Sequence, residues 1–214
     1  MIKLSDFVAD FIAKIGVKDV FGISGGASLH LIHSIAEHPQ LSIVCPLHEQ
    51  AGAMAADGYS RVTRNIGVAI GTSGPGATNM VTGICCSYYD SIPVIYITGQ
   101  VATFRFKGNT GVRQYGFQET DIVSICKTIT KYSVTIKDSK KIRYELEKAY
   151  YIAQSGRPGP VLIDIPDNLQ RDEIDSNNLL SYIPDRKTDE SSLLVRVEEF
   201  LPLLYQAQRP VIIL

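Results

Sequence analysis

The sequence predicts an α/β domain that is doubly wound, with a parallel sheet of about six strands and helices on both faces. Two observations support this fold class. Short apolar runs alternate along the chain with segments whose apolar residues recur at helical spacing. The apolar runs, such as IGVAIGT and IPVIYIT, do not alternate with polar residues, as expected of strands that are buried on both faces.

The elements follow one another without an internal repeat. The first helix is indicated by Leu4, Phe7, Val8, Phe11 and Ile12 at helical spacing, with Gly16 as its C-terminal cap. Further helices are predicted at about 27–37, 48–63, 77–89, 119–127, 142–153 and 192–207. Strands are predicted at 19–23, 41–45, 66–72, 92–98, 131–136 and 160–166. Residues 99–117 form a long polar loop, which in a compact domain is often functional.

The chain is predicted to divide into three parts. Residues 1–170 contain the alternating pattern and form one domain. Residues 171–190 are polar and are interpreted as a linker. Residues 191–214 begin a new helix and end in the apolar run VIIL, so we expect them to be the truncated start of a central domain.

Composition limits the class of function. The chain has 21 Lys and Arg against 22 Asp and Glu, a net charge of −1, which excludes a bulk electrostatic binder of nucleic acid or of a membrane surface. No apolar run is long enough to span a bilayer, and the first residues are typical of an amphipathic helix rather than a signal peptide. The four cysteines lack C-x-x-C spacing, which indicates reduced, mostly buried thiols in a cytoplasmic protein.

Two segments stand where predicted strands end. In HEQAGAMAADGYSR, Glu49 follows the strand at 41–45, at the sheet edge where open α/β folds bind ligands. It is equally explained as a first-turn residue that complements the helix dipole. In GTSGPGATN, residues 71–79, glycines and a helix start favour close approach of an anion. That segment is neither a P-loop nor G-x-G-x-x-G, and a tight turn set by Pro75 explains it as well.

Gln118 ends the long loop, and its amide is suited to orienting a ligand beside Phe117, although the segment taken alone favours a turn and the first residues of a helix. Arg105, Lys107 and Arg113 add positive charge to the same loop. No metal site is predicted within the chain.

Taken together, six segments are far more specific than any one of them. They are VFGISGGAS, HEQAGAMAADGYSR, GTSGPGATN, DSIPVIYITGQV, GFQETDIV and SGRPGPVLIDIPDNLQ, in this order. They closely resemble the N-terminal, pyrimidine-binding domain of thiamine-diphosphate enzymes of the acetolactate synthase type. The resemblance covers about residues 1–170 and implies the thiamine-diphosphate-binding fold.

The resemblance implies roles for individual residues. Glu49 matches the glutamate that hydrogen-bonds the cofactor aminopyrimidine and favours its imino tautomer, which activates the thiazolium ring; Glu49 is therefore the predicted catalytic residue. The implied cofactor-binding residues are Gly25, Gly26, Glu49, Thr72, Ser73, Pro75, Asn79 and Gln118. The implied substrate residues are Phe117, Gln118 and Lys131.

The implied activity is decarboxylation and carboligation of a small-molecule 2-oxo acid, a transferase reaction that uses thiamine diphosphate. Mg²⁺ is expected through a C-terminal domain, since the Gly-Asp-Gly motif does not occur here. FAD is a further cofactor of some relatives. The active site is expected to need the diphosphate-binding domain of a partner subunit in a homodimer or larger oligomer, which leaves this chain inactive by itself.

One segment departs from the family pattern. The sequence after GQV has Ala102 where the family has proline, and the loop to Gln118 is several residues longer, so the resemblance leaves the substrate open. A non-catalytic binding or interaction module of the same fold is the alternative. The presence of both Glu49 and Gln118 argues against that alternative, as the missing nucleotide motifs argue against a nucleotide-binding domain.

Overall fold

The computed structural model describes residues 1–184 and 190–211. The chain divides into two units, Met1–Ile183 and Pro184–Leu214. The strands are β1 (Ile2–Lys3), β2 (Asp19–Gly22), β3 (Ser42–Val44), β4 (Gly67–Gly71), β5 (Val94–Gln100), β6 (Tyr132–Thr135), β7 (Val161–Pro166) and β8 (Glu173–Ile174). The helices are α1 (Leu4–Lys14), α2 (Leu29–Glu37), α3 (Glu49–Thr63), α4 (Pro75–Thr78), α5 (Val81–Tyr89), α6 (Ile122–Cys126), α7 (Ile142–Gln154), α8 (Asp167–Gln170) and α9 (Glu190–Gln206).

The main sheet has six strands in the order β3-β2-β4-β5-β7-β6, and every neighbouring pair is parallel. All residues of β4, β5 and β7 are buried, because these strands lie inside the sheet and are covered on both faces. The outer strands β3 and β6 are partly exposed. The predicted six-stranded parallel sheet is confirmed.

Helices cover both faces of the sheet, so the doubly wound prediction is also confirmed. Alternate strand residues point to opposite faces. On β5, Ile95 and Ile97 pack in the core that contains α1, α2 and α7. Val94 and Tyr96 pack in the second core, with residues of α3, α5 and α6.

Two of the differences from the predicted elements are explained by backbone hydrogen bonds. The helix predicted over 77–89 is interrupted, because the Met80 N–H bonds to the Ala77 carbonyl at 3.1 Å and tightens the chain at the end of α4. The strand predicted over 92–98 is shifted by two residues. Gly99 and Gln100 extend it, since they pair with the end of β7.

The stretch predicted as a linker begins inside the first unit. β8 pairs antiparallel with β1, with Ile2 opposite Ile174, and Ile174 is buried. The buried side chain of Ile174 stabilises this short pairing. The stretch was predicted to be a linker because most of its other residues are polar. Residues 185–189 of the predicted linker lie outside the described residues, as do residues 212–214 of the predicted final strand.

The second unit contains α9, which covers most of the helix predicted over 192–207 and includes Pro202. Within the described residues, no helix is both long and apolar enough to cross a membrane. The cysteines are free thiols, and the expectation of mostly buried thiols is wrong. Cys126 is buried and Cys45 is exposed, because Cys45 lies beyond the end of the partly exposed edge strand β3.

A buried carboxylate ties three strand ends together. Asp164, on β7, accepts hydrogen bonds from Thr98 Oγ1 at 2.7 Å, Gln100 Nε2 at 3.1 Å and Thr135 Oγ1 at 3.1 Å. Burial raises the pKa of Asp164 to about 6, although these hydrogen bonds oppose the shift. The Asp164 side chain therefore joins β5, β6 and β7 at their carboxyl ends. Because burial disfavours its charged form, the free energy of folding depends on pH.

We expect Asp164 to make the first unit less stable as pH rises from about 4 to about 7. The folded protein binds this proton more tightly than the unfolded chain, so the stabilisation is full below the unfolded pKa and is lost as pH passes the folded pKa. The pKa difference corresponds to about 3 kcal/mol. Urea unfolding of the protein and of Asp164→Asn at both pH values measures it. If the free energies of unfolding of the protein and of Asp164→Asn differ by the same amount at both pH values, the assignment of this pH dependence to Asp164 is contradicted.

Candidate functional site

Four chain segments that follow neighbouring strands meet at the carboxyl end of the sheet. Gly25 follows β2, Glu49 follows β3, the turn at 72–75 follows β4, and Gln118 ends the loop after β5. Parallel strands deliver all of these segments to one edge of the sheet. Direct contacts, described next, show that the segments form one cluster.

Glu49 is the first residue of α3 and is half-buried. The preceding residue, His48, caps the helix, with its Nδ1 accepting from the Gln50 N–H at 3.1 Å. Glu49 Oε2 accepts a hydrogen bond from Asn79 Nδ2 at 3.0 Å. In the described part of the chain, Glu49 Oε1 has no hydrogen-bond partner, so one carboxylate oxygen is fixed by the protein and the other is available.

Thr72 connects the loops after β2 and β4. Its Oγ1 accepts from the Ala27 N–H at 3.3 Å. A Cβ on Gly25 would lie 2.5 Å from Thr72 Cβ, and one on Gly76 would lie 2.6 Å from Thr72 Cγ2 and 3.4 Å from Glu49 Oε1. The two glycines therefore make room for the Thr72 side chain, and Gly76 places backbone without a side chain next to Glu49 Oε1.

The Gly-rich turn also contacts the far loop. Gly74 has φ 61° and ψ −124°, a conformation that side chains strongly disfavour. A Cβ there would lie 2.8 Å from Gln118 Cβ. Gln118 itself has φ 62°. Its side-chain amide has no hydrogen-bond partner among residues 1–184 and 190–211, and such strain at an unpaired polar residue is typical of functional sites.

The other predicted residues differ in their surroundings. Ser73 is buried within the turn, Pro75 is exposed at the start of α4, and Gly26 is exposed. Phe117 is 81% exposed, so it is not part of a closed wall in this chain. These four residues lie near the cluster by sequence, but none of them has a described contact with Glu49 or Thr72.

Lys131 is placed elsewhere, at the amino end of β6. Its amine donates to the carbonyl oxygens of Ile152 and, at 2.5 Å, Ser155, where α7 ends. Burial lowers the pKa of Lys131. A cation at a helix C-terminus is stabilised by the last carbonyls, which gives Lys131 a structural role. The structure does not bring Lys131 to the cluster, and its contact with substrate stays a prediction.

Two residues at this edge were missed by the sequence analysis. Gln100 links Asp164 to the Thr120 carbonyl, to which its Nε2 donates at 2.7 Å. Glu119 accepts hydrogen bonds from the backbone N–H groups of Lys107 and Tyr115, which lie within the long loop. No hydrophobic periodicity indicates the contacts of Gln100 or Glu119. The only signal in the sequence is that both are polar residues next to predicted elements.

Cavities do not by themselves locate the cluster. A groove of about 710 Å³ lies between α1 and α7 and contains none of the predicted site residues. A cavity of about 500 Å³ lies beneath the long loop and includes Asp164 and Glu119. The candidate site is defined instead by the Glu49 and Gln118 side chains, which have polar atoms without a hydrogen-bond partner among the described residues. Nowhere in the described residues do three His, Cys, Asp or Glu side chains gather to hold a metal ion.

Comparison with known proteins identifies one family. The family described as "Thiamine pyrophosphate enzyme, N-terminal TPP binding domain" matches residues 2–125. Acetolactate synthase 2, chloroplastic, of Nicotiana tabacum is 43% identical over 169 residues, which are 79% of this chain and 24% of the relative. The acetolactate synthase large subunit of Lactococcus lactis is 37% identical over 210 residues, 98% of this chain and 36% of the relative. The chain thus spans about a quarter to a third of the length of these relatives.

Proposed function

The chain belongs to the thiamine pyrophosphate enzymes, as an acetolactate synthase-like N-terminal TPP binding domain, and from this we propose that Glu49 binds and activates the aminopyrimidine ring of thiamine diphosphate. The full-length protein is proposed to decarboxylate a 2-oxo acid and to join the product to a second carbonyl compound. The observation that supports this most directly is the Glu49 carboxylate, which has one oxygen held by Asn79 and the other without a hydrogen-bond partner among residues 1–184 and 190–211.

The residues present fit the aminopyrimidine. Glu49 Oε1, which has no hydrogen-bond partner among the described residues, can share a proton with a ring nitrogen, and Gly76 places no side chain against that oxygen. When bound, thiamine diphosphate would supply a nucleophilic carbon and an electron sink for the decarboxylation of a 2-oxo acid.

Each residue of the cluster has a proposed task. Asn79 fixes the Glu49 carboxylate, and the N-terminus of α3 favours its negative charge. Thr72 keeps the two loops in register. Gln118 presents an unpaired amide toward substrate and cofactor, and Phe117 covers the substrate from the exposed side.

The remaining predicted cofactors and partners are proposals for the full-length protein. Mg²⁺ and the diphosphate would be held by a separate domain of a partner subunit, and FAD would be bound outside residues 1–170. A homodimer or larger oligomer would complete the site. Location in the cytoplasm stays a prediction, since relatives from plants are named chloroplastic.

The proposal is tested by assaying the purified full-length protein with pyruvate and other 2-oxo acids, with and without thiamine diphosphate and Mg²⁺. We expect carbon dioxide release and a carboligated product only when both cofactors are added. The 214-residue chain, assayed in parallel, is expected to bind the cofactor weakly and to turn over nothing. Absence of turnover with every 2-oxo acid would favour a non-catalytic module. Turnover that does not depend on thiamine diphosphate would contradict the proposed role of the cofactor.

A further inference from the structure

The backbone at Gln118 is strained and needs support from its neighbours. Its φ of 62° lies in the left-handed region, which a glutamine occupies at a cost. Such a conformation persists only when the surrounding contacts over-determine it. The question is therefore which groups hold the segment 116–120.

One set of contacts comes from Glu119. Its Oε1 accepts from the Lys107 N–H at 2.8 Å, and its Oε2 accepts from the N–H groups of Tyr115 at 2.9 Å and Gly116 at 3.3 Å. Its backbone N–H bonds to the Gly116 carbonyl at 3.0 Å. A single carboxylate thus closes the loop by joining residue 107 to residues 115 and 116, immediately before Gln118.

A second set of contacts comes from the sheet. Gln100 Nε2 donates to the Thr120 carbonyl at 2.7 Å, and Asp164 holds the same nitrogen at 3.1 Å. Gly74 packs against Gln118 so closely that a Cβ at position 74 would lie 2.8 Å from Gln118 Cβ. Gln118 is therefore fixed between a rigid strand end on one side and the loop closed by Glu119 on the other.

We propose that Glu119 is a positioning residue that closes the loop at 107–116 and thereby holds Gln118 in its strained, ligand-facing conformation. The inference rests on the proposed function of Gln118. A carboxylate suits this task because it accepts all three N–H groups at once, with charge-assisted strength. A glutamine at position 119 has one oxygen only, and its amide nitrogen would face N–H groups that need an acceptor.

The test uses the full-length protein and the substitutions Glu119→Gln and Glu119→Asp. The aspartate keeps the charge but is one methylene shorter, so it remains informative if the glutamine variant fails to fold. Glu37→Gln is the matched control, since the Glu37 side chain is exposed and makes no hydrogen bond or ion pair in the described part of the chain. Loop closure is measured as the rate of tryptic cleavage after Lys107 and Arg113.

We expect Glu119→Gln to be cleaved in the loop roughly tenfold faster, because losing charge-assisted hydrogen bonds raises the open population by about that factor. Turnover of the 2-oxo acid should fall about tenfold or more. The half-saturating concentration of thiamine diphosphate should rise less than turnover falls, because Glu49 and Thr72, which are also proposed to bind the cofactor, make no hydrogen bond to residues 107–116. The control should match the unsubstituted protein in every readout.

A double-mutant cycle with Gln118→Ala separates positioning from general support. If Glu119 acts through Gln118, Glu119→Gln should cost less than about twofold in turnover once the Gln118 amide is gone. Additive losses, or a cleavage rate equal to that of the control, would overturn the inference. Failure of the proposed function is distinguishable, because the unsubstituted protein would then show no thiamine-dependent turnover.

Discussion

Replacing Glu49 by glutamine is expected to reduce thiamine-dependent turnover of the full-length protein by about a hundredfold or more. An amide at this position still accepts the hydrogen bond from Asn79 but cannot share a proton with the cofactor ring, and loss of a positioned acid–base group typically has an effect of this size. The measurement is turnover at saturating thiamine diphosphate, so that weaker binding does not mimic the effect.

The fold should tolerate Glu49→Gln, because the side chain is half-buried at a helix N-terminus where a neutral residue costs little. The melting temperature and circular dichroism spectrum should therefore match those of the unsubstituted protein. Glu37→Gln serves as the charge-matched control and should retain full turnover. Retained turnover in Glu49→Gln would sink the role assigned to this carboxylate, whereas a lost fold would show that the residue is structural.

Replacing Gly74 by alanine is expected to affect both stability and turnover. The alanine would have to adopt a disfavoured backbone conformation. Its Cβ would lie 2.8 Å from Gln118 Cβ and 3.0 Å from the Gln118 carbonyl oxygen. We expect the free energy of unfolding to fall by about 2 kcal/mol. Turnover should fall more than about tenfold, because Gln118 must move. Urea unfolding and the 2-oxo acid assay measure the two effects.

Gly156→Ala separates strain from contact. Gly156 also has a positive φ, 57°, but a Cβ there would meet nothing within 4 Å. This variant should lose about 1 kcal/mol of stability through strain alone and keep full turnover. If Gly74→Ala and Gly156→Ala have the same turnover, the contact between Gly74 and Gln118 does not affect catalysis.

Much of the fold was predictable because it depends on local patterns. Continuous apolar runs indicated the buried strands β4, β5 and β7, and helical spacing indicated α1 and α7. Boundaries were less accurate where long-range pairing decided them. β5 extends to Gln100 because β7 offers partners there, and β1 exists because β8 returns beside it. No pattern within either segment reports the presence of its partner.

The cluster around Glu49 shows the same division. The positions of Glu49, Thr72 and Gln118 at the ends of predicted segments indicated a ligand site, and the order of six segments indicated the family. The contacts between these segments join residues that are far apart in the chain. The hydrogen bond from the Ala27 N–H to Thr72 Oγ1, for example, spans 45 positions. Lys131 was grouped with the site on resemblance, yet the fold places it where strands begin.

The amino-acid sequence by itself determined the parallel α/β architecture, the family and the residues proposed for the chemistry, because these follow from hydrophobic periodicity and from residue types in a fixed order. Only the tertiary structure decided which of those residues meet. It left one oxygen of Glu49 unpaired, pressed Gly74 against Gln118 and set Glu119 across the base of the loop. Such contacts arise from strand order and close packing, which act between residues distant in the chain.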